Sequence, residues 1–259
     1  MLILKLFLVP SFIAIIALVG RFRGTATAGV LSDFPVISGP ILWFIYLENG
    51  SQFTLEAANA TIAGISALST FCFTYSWLCS RFTWPATITL SLFSYGLVVL
   101  ILSTINLSLH SSALLSVFVV ILQIYYSPEI KSQSLLTRSS SLEITCRMVL
   151  AFFLVFLITG FSDALGETYS GLFTVFPIAG STIAIFTHKN FSALHTIRSL
   201  KSMKQGLLSM WLYFYIVALT APSLGFGLAF SIAAILAILN QTGLQQLKRR
   251  AKNFNITAS

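Results

Sequence analysis

Apolar runs of about 17 to 25 residues, the length needed to cross a hydrocarbon core of about 30 Å, follow one another along almost the whole of this chain. They lie at 2–20, 26–47, 58–80, 85–106, 145–162, 170–187, 205–222 and 224–246. A ninth run, Ser111 to Tyr126, is short enough to be either a span or a buried re-entrant piece. Charged residues make up 8% of the 259 and mean hydropathy is +0.90, whereas a soluble domain is typically about 25% charged. Such a chain cannot clothe a water-facing globule. Its longest stretches between apolar runs, Ser127 to Leu142 and Lys189 to Lys204, are shorter than the roughly 40 residues below which a domain rarely folds unaided. The expected fold is all-α, a polytopic transmembrane helical bundle, with the lipid bilayer as its first partner.

The distribution of charge decides how many times the chain crosses. If Ser111 to Tyr126 spans, fourteen of the fifteen Lys and Arg residues fall on one side, and Glu48, Glu56, Asp163 and Glu167 fall on the other with Lys5. Without that span, the basic stretch 189–204 changes sides and the bias dissolves. Cytoplasmic loops concentrate Lys and Arg, so nine spans are expected, with the N-terminus outside and the C-terminus inside. The net charge of +8 is explained in the same way. Nucleic-acid binding would need a basic face on a folded module, and the bases here are scattered between apolar segments. Met1 to Gly20 runs into Arg21 and Arg23 without a small-residue cleavage pattern, and reads as a retained first helix rather than a signal peptide.

The chain also repeats itself. At a constant offset of 142 residues, AGVLSDFPVISG (28–39) aligns with SGLFTVFPIAGS (170–181). Gly29 matches Gly171, Phe34 matches Phe176, Pro35 matches Pro177, Gly64 matches Gly206, and Lys5 matches Arg147. This divides the chain into a four-helix repeat (1–107), a connector helix with an inner loop (108–142), a second four-helix repeat (143–247) and a basic tail (248–259). Four helices and one connector make an odd number, so the second repeat enters the membrane inverted. The acidic loop 48–57 and its basic counterpart 190–199 carry the opposite charges that opposite orientations require.

Inverted repeats recur in secondary transporters, where helices interrupted by Gly and Pro at matching positions mark the substrate site. Pro35 and Gly39 in one repeat, and Pro177 and Gly180 in the other, meet that description. A proline inside a helix removes a backbone hydrogen bond, and in lipid the freed carbonyl needs a protein, water or ligand partner; kinking for packing alone is the other reading. Asp33 is the only acid well inside an expected span, which makes it a candidate for proton coupling, or else half of a structural ion pair. Lys5 and Arg147, near opposite mouths, suit an anionic substrate or gate contacts, or simply snorkel to the interface. The three histidines and the three cysteines form no metal-ligand or CxxC spacing, and no nucleophile–base pair can be assembled. No metal, cofactor or enzymatic activity is expected.

The Gly-containing turn into LxxFP, followed by a long helix with a central Gly and clustered aromatics, resembles the GlpM family of small bacterial inner-membrane proteins. AGVLSDFP and SGLFTVFP each look like one copy, so the chain resembles a fused, inverted tandem of two such units. The resemblance implies a bacterial cytoplasmic membrane and a link to envelope polysaccharide production, and supplies no catalytic residues. Two functions are therefore expected to compete. One is a secondary transporter of a small metabolite, with anionic substrate and proton coupling suggested by Lys5, Arg147 and Asp33. The other is a non-transporting subunit that scaffolds or regulates envelope biosynthesis. A second copy of the chain or an envelope-biosynthesis protein would be its protein partner.

Overall fold

A computed structural model describes residues 38–128 and 141–257, together with Ser11. The described residues form eight α-helices: α1 (Ser38–Leu78), α2 (Trp84–Ser103), α3 (Leu109–Tyr125), α4 (Ser141–Gly160), α5 (Ser162–Thr174), α6 (Ile178–Asn190), α7 (Ala193–Leu224) and α8 (Phe226–Thr257). Three of these, α1, α2 and α7, are long and apolar enough to cross a membrane, and the pair α5 and α6, bent by 44°, counts as a fourth if it forms one broken span. Apolar segments of α3, α4 and α8 are shorter. The protein is thus a helical bundle with several membrane-spanning candidates. The expected first span, 2–20, lies outside the described residues except for Ser11.

Glycines and polar caps set the breaks. Gly50 (φ 78°) interrupts α1 between segments 38–49 and 51–78, Gly166 (φ 69°) interrupts α5, and Gly225 (φ 78°) separates α7 from α8. These left-handed conformations are ones that side chains beyond glycine rarely adopt. Ser108 and Ser192 cap α3 and α7, each accepting a hydrogen bond from the backbone N–H three residues on; a serine in this position satisfies one of the orphan donors of a first turn.

The helix bounds correct the expected loops: residues 48–57 are helical apart from the break at Gly50. The stretch Lys189 to Lys204 is helical except at Phe191 and Ser192, and the basic tail continues α8 to Thr257. Counting apolar residues ends a span at the first charges, whereas backbone hydrogen bonding carries a helix on through a polar turn. Ser111 to Tyr126, the doubtful span, belongs to one unbroken helix.

Segment 51–78 of α1 is the centre of the bundle. The most apolar stretch of α1 is 72% buried, against 28% in α2. Its first half lies in one apolar cluster with α4 and α7 through Ala57, Ile62, Val155 and Phe214, and its far half in another with α2, α6 and α7 through Phe71, Tyr75, Val99, Ala184 and Leu200. Lipid tails are as apolar as leucine, so close backbone approach rather than hydrophobicity drives helix association in a membrane. The α1–α5 seam has this character: Gly171 sits against the Ala57 carbonyl and Ala60, and Gly64 against Val175 and Leu172. The outer faces of α2, α3 and α8 carry exposed Phe93, Leu100, Leu114, Phe118, Leu228 and Leu239, an apolar surface far larger than a soluble monomer shows.

Cross-links fix the two ends of the bundle. At one, Asn49 donates to Asp163 (2.7 Å), Asn59 to the Leu107 carbonyl (2.7 Å), and His110 pairs with Tyr215 (3.1 Å). At the other, Tyr75 pairs with His188 (3.3 Å) and the Cys79 thiol meets the Ala193 carbonyl (3.8 Å). Among the described residues, Glu48, Glu56, Asp163 and Glu167 belong to the first end, and Arg81, Lys189, Arg198 and Lys201 to the second.

Candidate functional site

The sequence candidates separate in the structure. Lys5, Asp33 and Pro35 lie outside the described residues, and of Arg147 only the backbone, within α4, is described. Gly39 opens α1, and a Cβ there would stand 3.4 Å from the Tyr213 hydroxyl of α7. Gly180 lies in the first turn of α6, and a Cβ there would stand 3.2 Å from the Phe71 ring of α1 and 3.4 Å from the Met203 side chain of α7. Pro177 is the N-cap of α6 and lies in the break itself, where its carbonyl accepts from the backbone N–H of Ser181 at 2.7 Å and from the Ser181 hydroxyl.

That break frees carbonyls at the end of α5, as any helix terminus does. Protein hydroxyls take them: Thr61 of α1 donates to the Gly171 carbonyl (3.0 Å), and Tyr95 of α2 donates to the Leu172 carbonyl (3.0 Å). The Phe173 carbonyl accepts from the backbone N–H of Phe176 (2.9 Å). Two acceptors that a substrate could have used are thereby bound to the opposite half of the chain.

The charged group in the interior is one that sequence reasoning assigned to a loop. Lys204 of α7 is 0% exposed. Its ammonium donates to the Gln123 carbonyl (3.3 Å) and to the Ser127 hydroxyl, and lies 5.3 Å from the centre of the Phe73 ring, within the range of a cation–π contact. Among the described residues no carboxylate pairs with it. A buried cation held only by neutral acceptors and a ring is costly to keep and marks a functional site by default. Its place was legible: Ile197, Leu200 and Leu207 are buried at helical spacing on either side, so Lys204 falls on the buried stripe of its helix.

Around it, α3 is tied to both halves. Ser69 of α1 donates to the Gln123 side chain (2.6 Å), which donates in turn to Thr70 (2.9 Å), while Lys204 holds the Gln123 carbonyl from α7. Nearer the acidic end, Trp211 of α7 donates to the Ala113 carbonyl (3.1 Å) and stacks on Tyr215 at 9°. Cys72 and Cys79 are buried, as expected of small apolar side chains, and Cys146 is half-buried. His110, His188 and His195 each pair with a hydroxyl, and no metal-binding cluster gathers among the described residues.

No family model matches the chain, and neither a curated protein nor a solved structure matches it. Function is therefore a question for the geometry of the chain itself.

Proposed function

We propose that this chain is a secondary transporter of a small metabolite, with two inverted repeats rocking around a site between the Pro35 and Pro177 segments. The carrying observation is a repeated plan of breaks. Trp84 begins α2 and Phe226, 142 residues on, begins α8. Segment 51–78 begins after Gly50, and α7 begins at Ala193, the position 142 residues after residue 51. Contacts across the bundle come within one residue of the same rule: Gly180 packs on Phe71, and Gly39, next to the position 142 before Gly180, packs on Tyr213, the residue 142 after Phe71.

Direction supports inversion. Segment 51–78 has Asn59 near its start at the acidic end and is followed by Cys79 at the basic end, whereas α7 starts with Ala193 at the basic end and reaches Tyr215 at the acidic end. On this reading the acidic end faces outward, the chain crosses nine times in a bacterial inner membrane, and Lys204 is the interior charge that responds to substrate or proton along with Asp33. The connector α3, clamped by Gln123 to one half and by Lys204 to the other, is the fulcrum.

Two experiments test this. Single cysteines at the exposed positions Gln52 and Asn190 should react with an impermeant thiol reagent from opposite faces of oriented vesicles; labelling from the same face removes the inversion. In proteoliposomes loaded with a metabolite library, flux should fall at least about tenfold in Lys204→Met, and in Asp33→Asn combined with Pro177→Ala. Flux that these variants leave intact removes the site. The GlpM-like segments AGVLSDFP and SGLFTVFP favour a second reading, a non-transporting subunit of envelope polysaccharide synthesis. Stable co-purification with a synthase, with no solute flux, would select it.

A further inference from the structure

At the acidic end a cleft of about 220 Å³ opens between α1, the turn before α3, and α5. Its charged lining comes from both halves: Glu56 of α1 is exposed at the mouth and Glu167 of α5 is half-buried. Leu102, Leu107 and Leu172 supply apolar wall. Deeper in, two polar atoms are left over. Ser112 is 1% exposed and lines the cleft, yet its hydroxyl finds no partner among the described residues. Asn59 also lines it and spends its NH₂ on the Leu107 carbonyl, leaving its side-chain oxygen buried and unpartnered.

Buried polar atoms without partners are uncommon and call for an explanation. Here the cleft's polar groups share one property: the Asn59 oxygen and both carboxylates, Glu56 already taking one donor from Gln52 at 2.5 Å, can only accept, and the Ser112 hydroxyl can accept as well. Their natural complement is a ligand rich in N–H donors and positively charged. The volume corresponds to about seven waters at roughly 30 Å³ each, room for a short carbon chain against the leucines. A bare divalent ion would want six or more oxygens in close array, and the apolar wall argues for carbon. We infer that this cleft is a binding site for a small organic cation, a primary alkylammonium group with a short apolar body. The inference goes beyond transport and does not rest on it.

The test is calorimetric titration of the full chain, in phosphatidylcholine nanodiscs at low salt, with butylammonium. Saturable binding near one per chain is expected. It should weaken at least tenfold in Glu167→Gln and in Glu56→Gln, the latter at an exposed position that does not threaten folding, and stay unchanged in Asp163→Asn, an acid of the same end outside the cleft. Butyrate and butanol should show no saturable binding. No saturable uptake of butylammonium, equal uptake of butanol, or affinity indifferent to both Glu variants would each overturn the site. Adding phosphatidylethanolamine to the discs separates the sources: competition assigns the ammonium to a lipid headgroup, and undiminished binding assigns it to a free amine. Because the readout is binding, a chain that moves no solute can still pass, and a transporter can still fail.

Discussion

Segment 51–78 of α1 and helix α7 begin 142 residues apart, yet they have been made into different things. The first carries its only charge, Glu56, at its acidic mouth and is uncharged from Ala57 onward, with Gly64 at a close contact on α5. The second begins with His195, Arg198, Lys201 and Lys204, and puts the last of these into the interior at the position where the first has Ile62. Two long helices of one bundle thus carry, one a dry seam, the other a buried cation. What differs is the third partner: Lys204 finds the Gln123 carbonyl and Ser127 at the end of α3, whereas Ile62 lies in a cluster with Ala113, at the start of α3, and with residues of α4, α7 and α8. Helix α3 and the turn after it thus give Lys204 a main-chain carbonyl and a hydroxyl, and give segment 51–78 apolar surface at Ala113 and, further along, the Gln123 side chain held by Ser69 and Thr70.

Substitutions can push this contrast to failure. The largest effect is expected from Gly171→Leu, whose side chain has backbone on one side and Ala60, 2.7 Å from the Cβ, on the other; overpacking that cannot relax costs about 3 kcal/mol or more, and the purified protein should lose its monodisperse peak in size exclusion. Ile62→Lys asks the dry helix to carry the other's charge without its acceptors. A buried, unpaired cation should lower stability by about 3 kcal/mol, read as a fall in thermal unfolding temperature; an unchanged temperature would mean that water reaches this seam. Ser69→Ala strips one donor from Gln123 and should cost about 1 kcal/mol. The smallest effect on stability is expected from Lys204→Met, because replacing a buried charge by an apolar chain of similar length is often neutral or stabilising. A large loss there would make Lys204 a structural post rather than a functional one.

The parts of this fold that a sequence can announce are those governed by local rules. The run 85–106 became α2 within a few residues, Pro177 fell in a break, and Gly171 and Gly64, matched to other glycines by the repeat, turned out to lie at one seam. Lys204 was misplaced because charge counting treats any lysine as an edge, although its neighbours at spacings of three and four had already put it on a buried stripe. The cleft could not be anticipated. Glu56 and Glu167 stand more than a hundred residues apart, and only the packing of α5 on α1 makes them neighbours.

The backbone contact at Gly171 has one further consequence. Where side chains fill a seam, rotamer hops open fleeting channels through which protons or ions can seep. Between Ala57 and Gly64 the closest approaches are to main chain and small side chains, Gly171 on the Ala57 carbonyl and Ala60 and Gly64 on the Leu172 backbone, so few side chains there can open the seam by changing rotamer. A membrane protein that moves anything must leak nothing else, and this is the part of the molecule whose tightness is set by the path of the chain itself.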